Sequence, residues 1–171
     1  SLNAAFTIGD QRTVEQDPGF GIRQIVDIAL KALSPGVNDT TTAINAIDRL
    51  GEVVALVATR RIPSRVRTAE GKAILIVRAP GFEDYVEYAF DEIRVSGRGN
   101  FAVFFRIIDA LITALSGADD PSRRVLLLRH IELTRQYAME TLETEYEREK
   151  FTAYLADRLT DNGGQSKVAS N

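Results

Sequence analysis

The residues of this chain that could do chemistry are few, and their types set narrow terms. The single histidine, His130, lies among Leu126, Leu127, Leu128 and Ile131. A general base needs a partner to orient it, and the local sequence nominates none, so the plainer reading is a structural histidine. There is no cysteine, which excludes disulfides, thiolate metal sites and a cysteine nucleophile. Two acidic groups stand out, Glu83, Asp84, Glu87, Asp91 and Glu92 in one stretch and Glu140, Glu143, Glu145, Glu147 and Glu149 in another. Carboxylates for hydrolysis or for a hard cation would have to meet across two elements. Read alone, each group is a solvated helix face, and neither has the loop spacing of a calcium site. No catalytic residue, metal site or cofactor is expected.

Two further groups carry charge or free amides. Arg60, Arg61, Arg65, Arg67, Lys72 and Arg78 stand against Glu70 alone, with no aromatic among them. Without rings on which bases could stack, single-stranded nucleic acid is disfavoured as a partner; an anionic membrane surface or an acidic protein remains, beside plain solvation. Ser34-Pro35-Gly36-Val37-Asn38-Asp39 delivers a helix amino terminus straight after a rigid turn. Amides at such a terminus can hold an anion, with Arg12 or Arg23 close by if the chain folds back. The competing reading is a well-capped helical turn. The glycine pairs Gly19/Gly21 and Gly97/Gly99 do not have the spacing of a phosphate loop.

The elements that must position these residues are mostly helical. From Phe20 to Leu33, the residues Ile22, Ile25, Val26, Ala29, Leu30 and Leu33 recur at spacings of three and four, which predicts an amphipathic helix. Ser34-Pro35-Gly36 ends it, because proline disfavours helical geometry before it and glycine tolerates a positive φ. Asn38 or Asp39 then caps a second helix carrying Ala43, Ile44, Ile47, Leu50, Val54 and Val57, and a connection this short predicts an antiparallel helical hairpin. That helix ends near Arg60 and Arg61. Val66 and the run from Ala73 to Val77, flanking Glu70-Gly71, read as a small β-hairpin near residues 64–78, or at least one strand.

Helices follow over Phe82 to Val95 and over Phe101 to Leu115, the latter apolar nearly all round except for Arg106, Asp109 and Thr113, as befits the middle of a bundle. Asp120-Pro121 starts another. Uninterrupted to Thr160 it would be about 60 Å long at 1.5 Å per residue, which outruns the domain, so a break is expected near Glu143 to Glu147. The fold class is therefore mainly α, a single helical domain over residues 1–160 with a flexible tail over 161–171.

Composition agrees. The chain has 171 residues, 44% hydrophobic and 26% charged, enough for one core and far from the disordered regime. Its net charge of −3 argues against a dedicated nucleic-acid binder. There is no run of eighteen apolar residues and no signal-peptide pattern in it.

Longer stretches carry a resemblance: Arg12-Thr13, Gln16-Asp17, the run from Phe20 to Asp39 with its Ala-Leu-Ser-Pro-Gly-Val-Asn-Asp end, Thr42-Ala43, Asp48-Arg49-Leu50, and Ala89 to Arg94. These are similar to the soluble carboxyl-terminal part of a family of predicted bacterial membrane proteins, a domain of unknown function. In that family proline usually follows the Asn-Asp pair; here Thr40 stands in its place. The resemblance implies transmembrane helices upstream, so that this chain is a cytoplasmic-side portion of an inner-membrane protein, and it implies no activity. Two functions follow as expectations. The first is a non-enzymatic domain serving assembly, gating or partner binding. Its partners are its own transmembrane region, an anionic membrane surface met through Arg60, Arg61, Arg65 and Arg67, or a second copy, with no nucleic acid. The rival is a small-anion-binding or hydrolytic domain that gathers Arg12, Asp17, Arg23, Ser34, Asn38 and Asp39.

Overall fold

In the computed structural model the described residues are 18–62, 66–69, 72–76 and 79–168, with side chains described for 18–62 and 79–161. They form α1 (Pro18–Leu33), α2 (Thr40–Thr59), β1 (Val66–Ala69), β2 (Lys72–Ile76), α3 (Phe82–Ser96), α4 (Phe101–Gly117), α5 (Pro121–Thr141) and α6 (Glu145–Val168). The class is mainly α. The two short strands pair antiparallel, Val66 opposite Ile76 and Ala69 opposite Lys72, with an irregularity between Arg67 and Thr68. Helical backbone continues to Val168, past the Thr160 at which the sequence reading ends the domain.

Helix α4 sits at the centre because, apart from the narrow stripe of Arg106, Asp109 and Thr113, its surface is apolar. Val103, Phe104, Ile107, Ile108, Leu111, Ala114 and Leu115 are all buried, and α2, α5, α6 and α3 pack around it. Its tightest neighbour is α2. Gly51 makes that approach possible, since a Cβ there would lie 2.8 Å from the Cβ of Ala110. α1 packs on α2 as the expected helical hairpin, burying Ile22, Val26 and Ala29, and its other neighbour is α3.

The break expected after α5 falls at Leu142, Glu143 and Thr144. Leu142 is extended and buried, its N–H still held by the Ala138 carbonyl. Thr144 and Glu147 then form a capping box: the Thr144 N–H and hydroxyl donate to Glu147 Oε2 at 3.1 and 3.0 Å, and the Glu147 N–H donates to Thr144 Oγ1 at 3.2 Å. Turning the chain there lays α6 back on α4, where Phe151 meets Phe104 edge to face and stacks on Phe105, which also stacks on Tyr154 at 4.3 Å between ring centres.

Three arginines close the ends of helices other than their own, Arg123 from across the fold and Arg124 and Arg148 from the helix that follows. A guanidinium nitrogen of Arg123 on α5 donates to the carbonyls of Val57, Ala58 and Arg60 at the end of α2. Arg124 does the same for Leu115 and Ala118 at the end of α4, and Arg148 for Leu142 and Glu143 after α5. Each places a cation and a donor where a helix leaves unpaired carbonyls. α2 ends at Thr59, beside Arg60 and Arg61 where the sequence reading ends it, and a guanidinium that closes it comes from Arg123.

Candidate functional site

The turn between α1 and α2 is the first place nominated by sequence. The Ser34 hydroxyl donates to the Lys31 carbonyl at 2.6 Å, and the amides of Val37 and Asn38 both return to the Ser34 carbonyl. Asp39, not Asn38, caps α2: its carboxylate accepts from the Thr42 N–H at 3.0 Å and the Thr42 hydroxyl at 2.6 Å, and these bonds hold its pKa below the usual range. Asn38 instead takes the left-handed backbone at φ 49°, the role assigned above to Gly36. Asparagine tolerates that region better than most residues, and the Asp39 N–H reaches back to the Ala32 carbonyl at 2.8 Å. The Arg23 guanidinium lies 4.4 Å from the ring centre of Tyr88 on α3, a cation–π contact. Thus Ser34, Asn38 and Asp39 share one turn, while Arg23 is engaged with α3. Arg12 and Asp17 lie outside the described residues.

His130 is in the core, 3% exposed, beside a buried arginine that the sequence reading did not single out. Arg94 on α3 donates through Nε to Thr134 Oγ1 at 3.1 Å and through Nη1 to Asp91 Oδ1 at 2.8 Å. Its Nη2 sits 3.3 Å from His130 Nδ1. A guanidinium cannot accept, so Nδ1 accepts and the imidazole proton belongs on Nε2. Thr134 in turn donates to the His130 carbonyl at 2.8 Å. Burial first, and then the Arg94 charge, push the His130 pKa down, which keeps the ring neutral. The network ties α3 to α5 with every named group satisfied. No nucleophile enters it.

A second convergence joins α2, α4 and α6 around an open cleft of about 360 Å³. Asp109 Oδ1 accepts from the Tyr154 hydroxyl at 2.7 Å and from Arg158 Nε at 2.8 Å. Arg106 bridges toward Asp48 at 3.2 Å and Asp109 at 3.8 Å. Burial and then the bond to Asp109 push the Tyr154 hydroxyl up to about 12, so it stays a donor at neutral pH. The signal in the sequence was the polar stripe Arg106, Asp109 and Thr113 on an otherwise apolar helix. What no local reading shows is that its partners Tyr154 and Arg158 arrive from 45 and 49 residues away.

Five of the ten acidic residues have a part in holding the fold, four of them through partners close in sequence. Asp84 accepts from the Gly81 N–H, Asp91 from Arg94, and Glu147 caps α6, while Glu83 and Glu145 face Arg129 and Arg148. Among the described residues no group of three or more His, Asp or Glu side chains is placed to hold a metal ion. Of the basic cluster, Arg60 and Arg61 are exposed at the end of α2 and Arg67 lies in β1, while Arg65 is outside the described residues. Among the described residues the two strands that follow Arg61 pair with each other.

Comparison with known proteins supplies the setting. Residues 1–113 match a family described as "Predicted membrane protein (DUF2254)". The chain is similar to the uncharacterized protein Rv1290c of Mycobacterium tuberculosis and to the uncharacterized protein Mb1321c of Mycobacterium bovis. Each is 36% identical over 142 residues, covering 82% of this chain and 27% of the relative. The chain thus spans about a quarter of the length of these relatives. No solved structure matches it. No helix among the described residues is long and apolar enough to cross a membrane. By the family match and the mycobacterial relatives together, the chain belongs to the DUF2254 family of predicted membrane proteins.

Proposed function

We propose that this chain is the soluble, non-enzymatic domain of an inner-membrane protein, placed on the cytoplasmic side and serving assembly, gating or partner binding, with the rest of that protein as its first partner. One observation carries the reading: the polar groups that chemistry would need are spent on the fold. Ser34 and Asp39 close a turn and a helix end, Arg23 covers a ring, and His130 is locked beneath Arg94. Arg60 and Arg61 at the end of α2 are exposed instead, and the sequence that follows them adds Arg65, Arg67, Lys72 and Arg78. Membership in a family of predicted membrane proteins supports the location, and cytoplasmic segments next to a membrane are enriched in Lys and Arg.

Thermal denaturation of the 171-residue chain in the presence of phosphate, sulfate, small carboxylates and nucleotides tests it. A ligand of the folded state raises Tm as its concentration exceeds Kd. The expected result is no rise with any of them. A saturable rise that Arg23→Gln abolishes would overturn the reading in favour of an anion site on the 12–39 segment.

A further inference from the structure

From Arg60 to Arg78 the sequence holds six cations and one acid, a net +5, while the whole chain carries −3, which leaves −8 for the remainder. The charge is therefore strongly polarised along the sequence: one basic segment interrupts an acidic remainder. That segment joins α2 to α3, and among the described residues its two strands pair with each other. A two-stranded hairpin is of itself marginal in water, so a surface that takes it up adds to its stability. β2 and the residue after it read Ile74-Leu75-Ile76-Val77, an apolar run within the basic segment.

We infer that the Arg60–Arg78 hairpin is a docking element for an anionic lipid surface. This rests on the reading of the chain as a domain of a membrane protein and names the surface it meets. Cations beside a short apolar run are what the boundary between headgroups and acyl chains takes up: phosphates attract the first, and the boundary accepts the second. The acidic remainder is repelled by the same surface, so the two charges together orient the domain hairpin-first. Two alternatives fit less well. A second copy of the hairpin brings +5 against +5, and nucleic acid finds no aromatic ring in the segment on which to stack.

The test is flotation of the 171-residue chain with vesicles of phosphatidylcholine alone or of phosphatidylcholine mixed with phosphatidylglycerol. Binding is expected only to the mixed vesicles and is expected to fall as salt is raised, because the attraction is screened. At about 1 kcal/mol per cation near an anionic surface, Arg67→Gln with Lys72→Gln lowers the partition coefficient by roughly thirty-fold. Arg60→Gln with Arg61→Gln does the same from a position outside the strands, so loss of the hairpin alone cannot account for both. Helical circular dichroism is unchanged in both pairs. Equal binding to neutral vesicles, no binding to either kind, or binding that neither pair weakens overturns the inference. So does a doubled mass in light scattering that the Arg67/Lys72 pair abolishes, which would give the hairpin to a second copy. Failure in any of these ways leaves the ligand titrations above untouched, and a ligand found there leaves the vesicle result untouched.

Discussion

At the scale of the residue, the buried network around Arg94 decides how the protein responds to acid. His130 Nδ1 accepts from a permanently charged guanidinium, so a second proton on the ring would lose that bond and face a like charge. Asp91 and the more distant Glu83 act the other way, Arg129 adds to the repulsion, and desolvation with Arg94 prevails. The folded pKa is thus below the ordinary value of 6.5 reached in the unfolded chain. The unfolded state binds the proton first, so this stability is fully present above about pH 6.5 and is lost as pH falls below it. Tm should therefore begin to decline as pH falls below about 6.5, ahead of most carboxylate titration. His130→Gln, which keeps an acceptor but does not titrate, should flatten that part of the profile. An unchanged slope in the variant would place the effect elsewhere. Asp39 and Glu147, whose pKa values are lowered by cap bonds to Thr42 and Thr144, act at lower pH.

At the scale of the element, the contact between α2 and α4 is set by what is missing. Gly51 faces Ala110 with room for hydrogen only, so Gly51→Ala must push the two helices apart or strain both. Overpacking of this kind costs about 1–3 kcal/mol, more than the gain in helix propensity of about 1 kcal/mol from replacing glycine. Urea unfolding should show a lowered midpoint for Gly51→Ala and a recovery when Ala110→Gly is added. Additive losses in the double variant would show that the two positions do not meet. The cleft shared with α6 lies over this contact, with Asp48 and Glu52 from α2 and Arg106 and Asp109 from α4 on its rim, so the spacing of the two helices also sets its width.

At the scale of the whole molecule, one buried cluster runs from Ile22 on α1 through α2, α3, α4 and α5 to Leu155 on α6. Phe104 is at its heart, fully buried and touching the rings of both Tyr137 and Phe151. Phe104→Ala removes that ring from a site that several helices share, at about 3–5 kcal/mol. Because one core serves all the helices, the loss should appear as a lowered midpoint of a single transition, coincident by far-ultraviolet circular dichroism and by tyrosine fluorescence. Separate transitions would mean that α5 and α6 unfold apart from the rest.

Local physics was enough to read the elements themselves. The spacing of Ile22, Val26 and Ala29 needs only helical geometry. The stop at Ser34-Pro35-Gly36 needs only backbone sterics, and the start at Asp120-Pro121 needs only a side chain within reach of the next amides. The near-continuous apolar surface of Phe101 to Leu115 likewise admits no place but the centre. What the tertiary structure alone decided are the pairings between residues far apart in the chain: Arg94 with His130 and Thr134, Asp109 with Tyr154 and Arg158, and Arg123 with the end of α2. A side chain's own sequence neighbours fix its helix and its face. Which charge it finds across the core depends on how whole helices pack, and that is settled by the sum of all the apolar stripes at once.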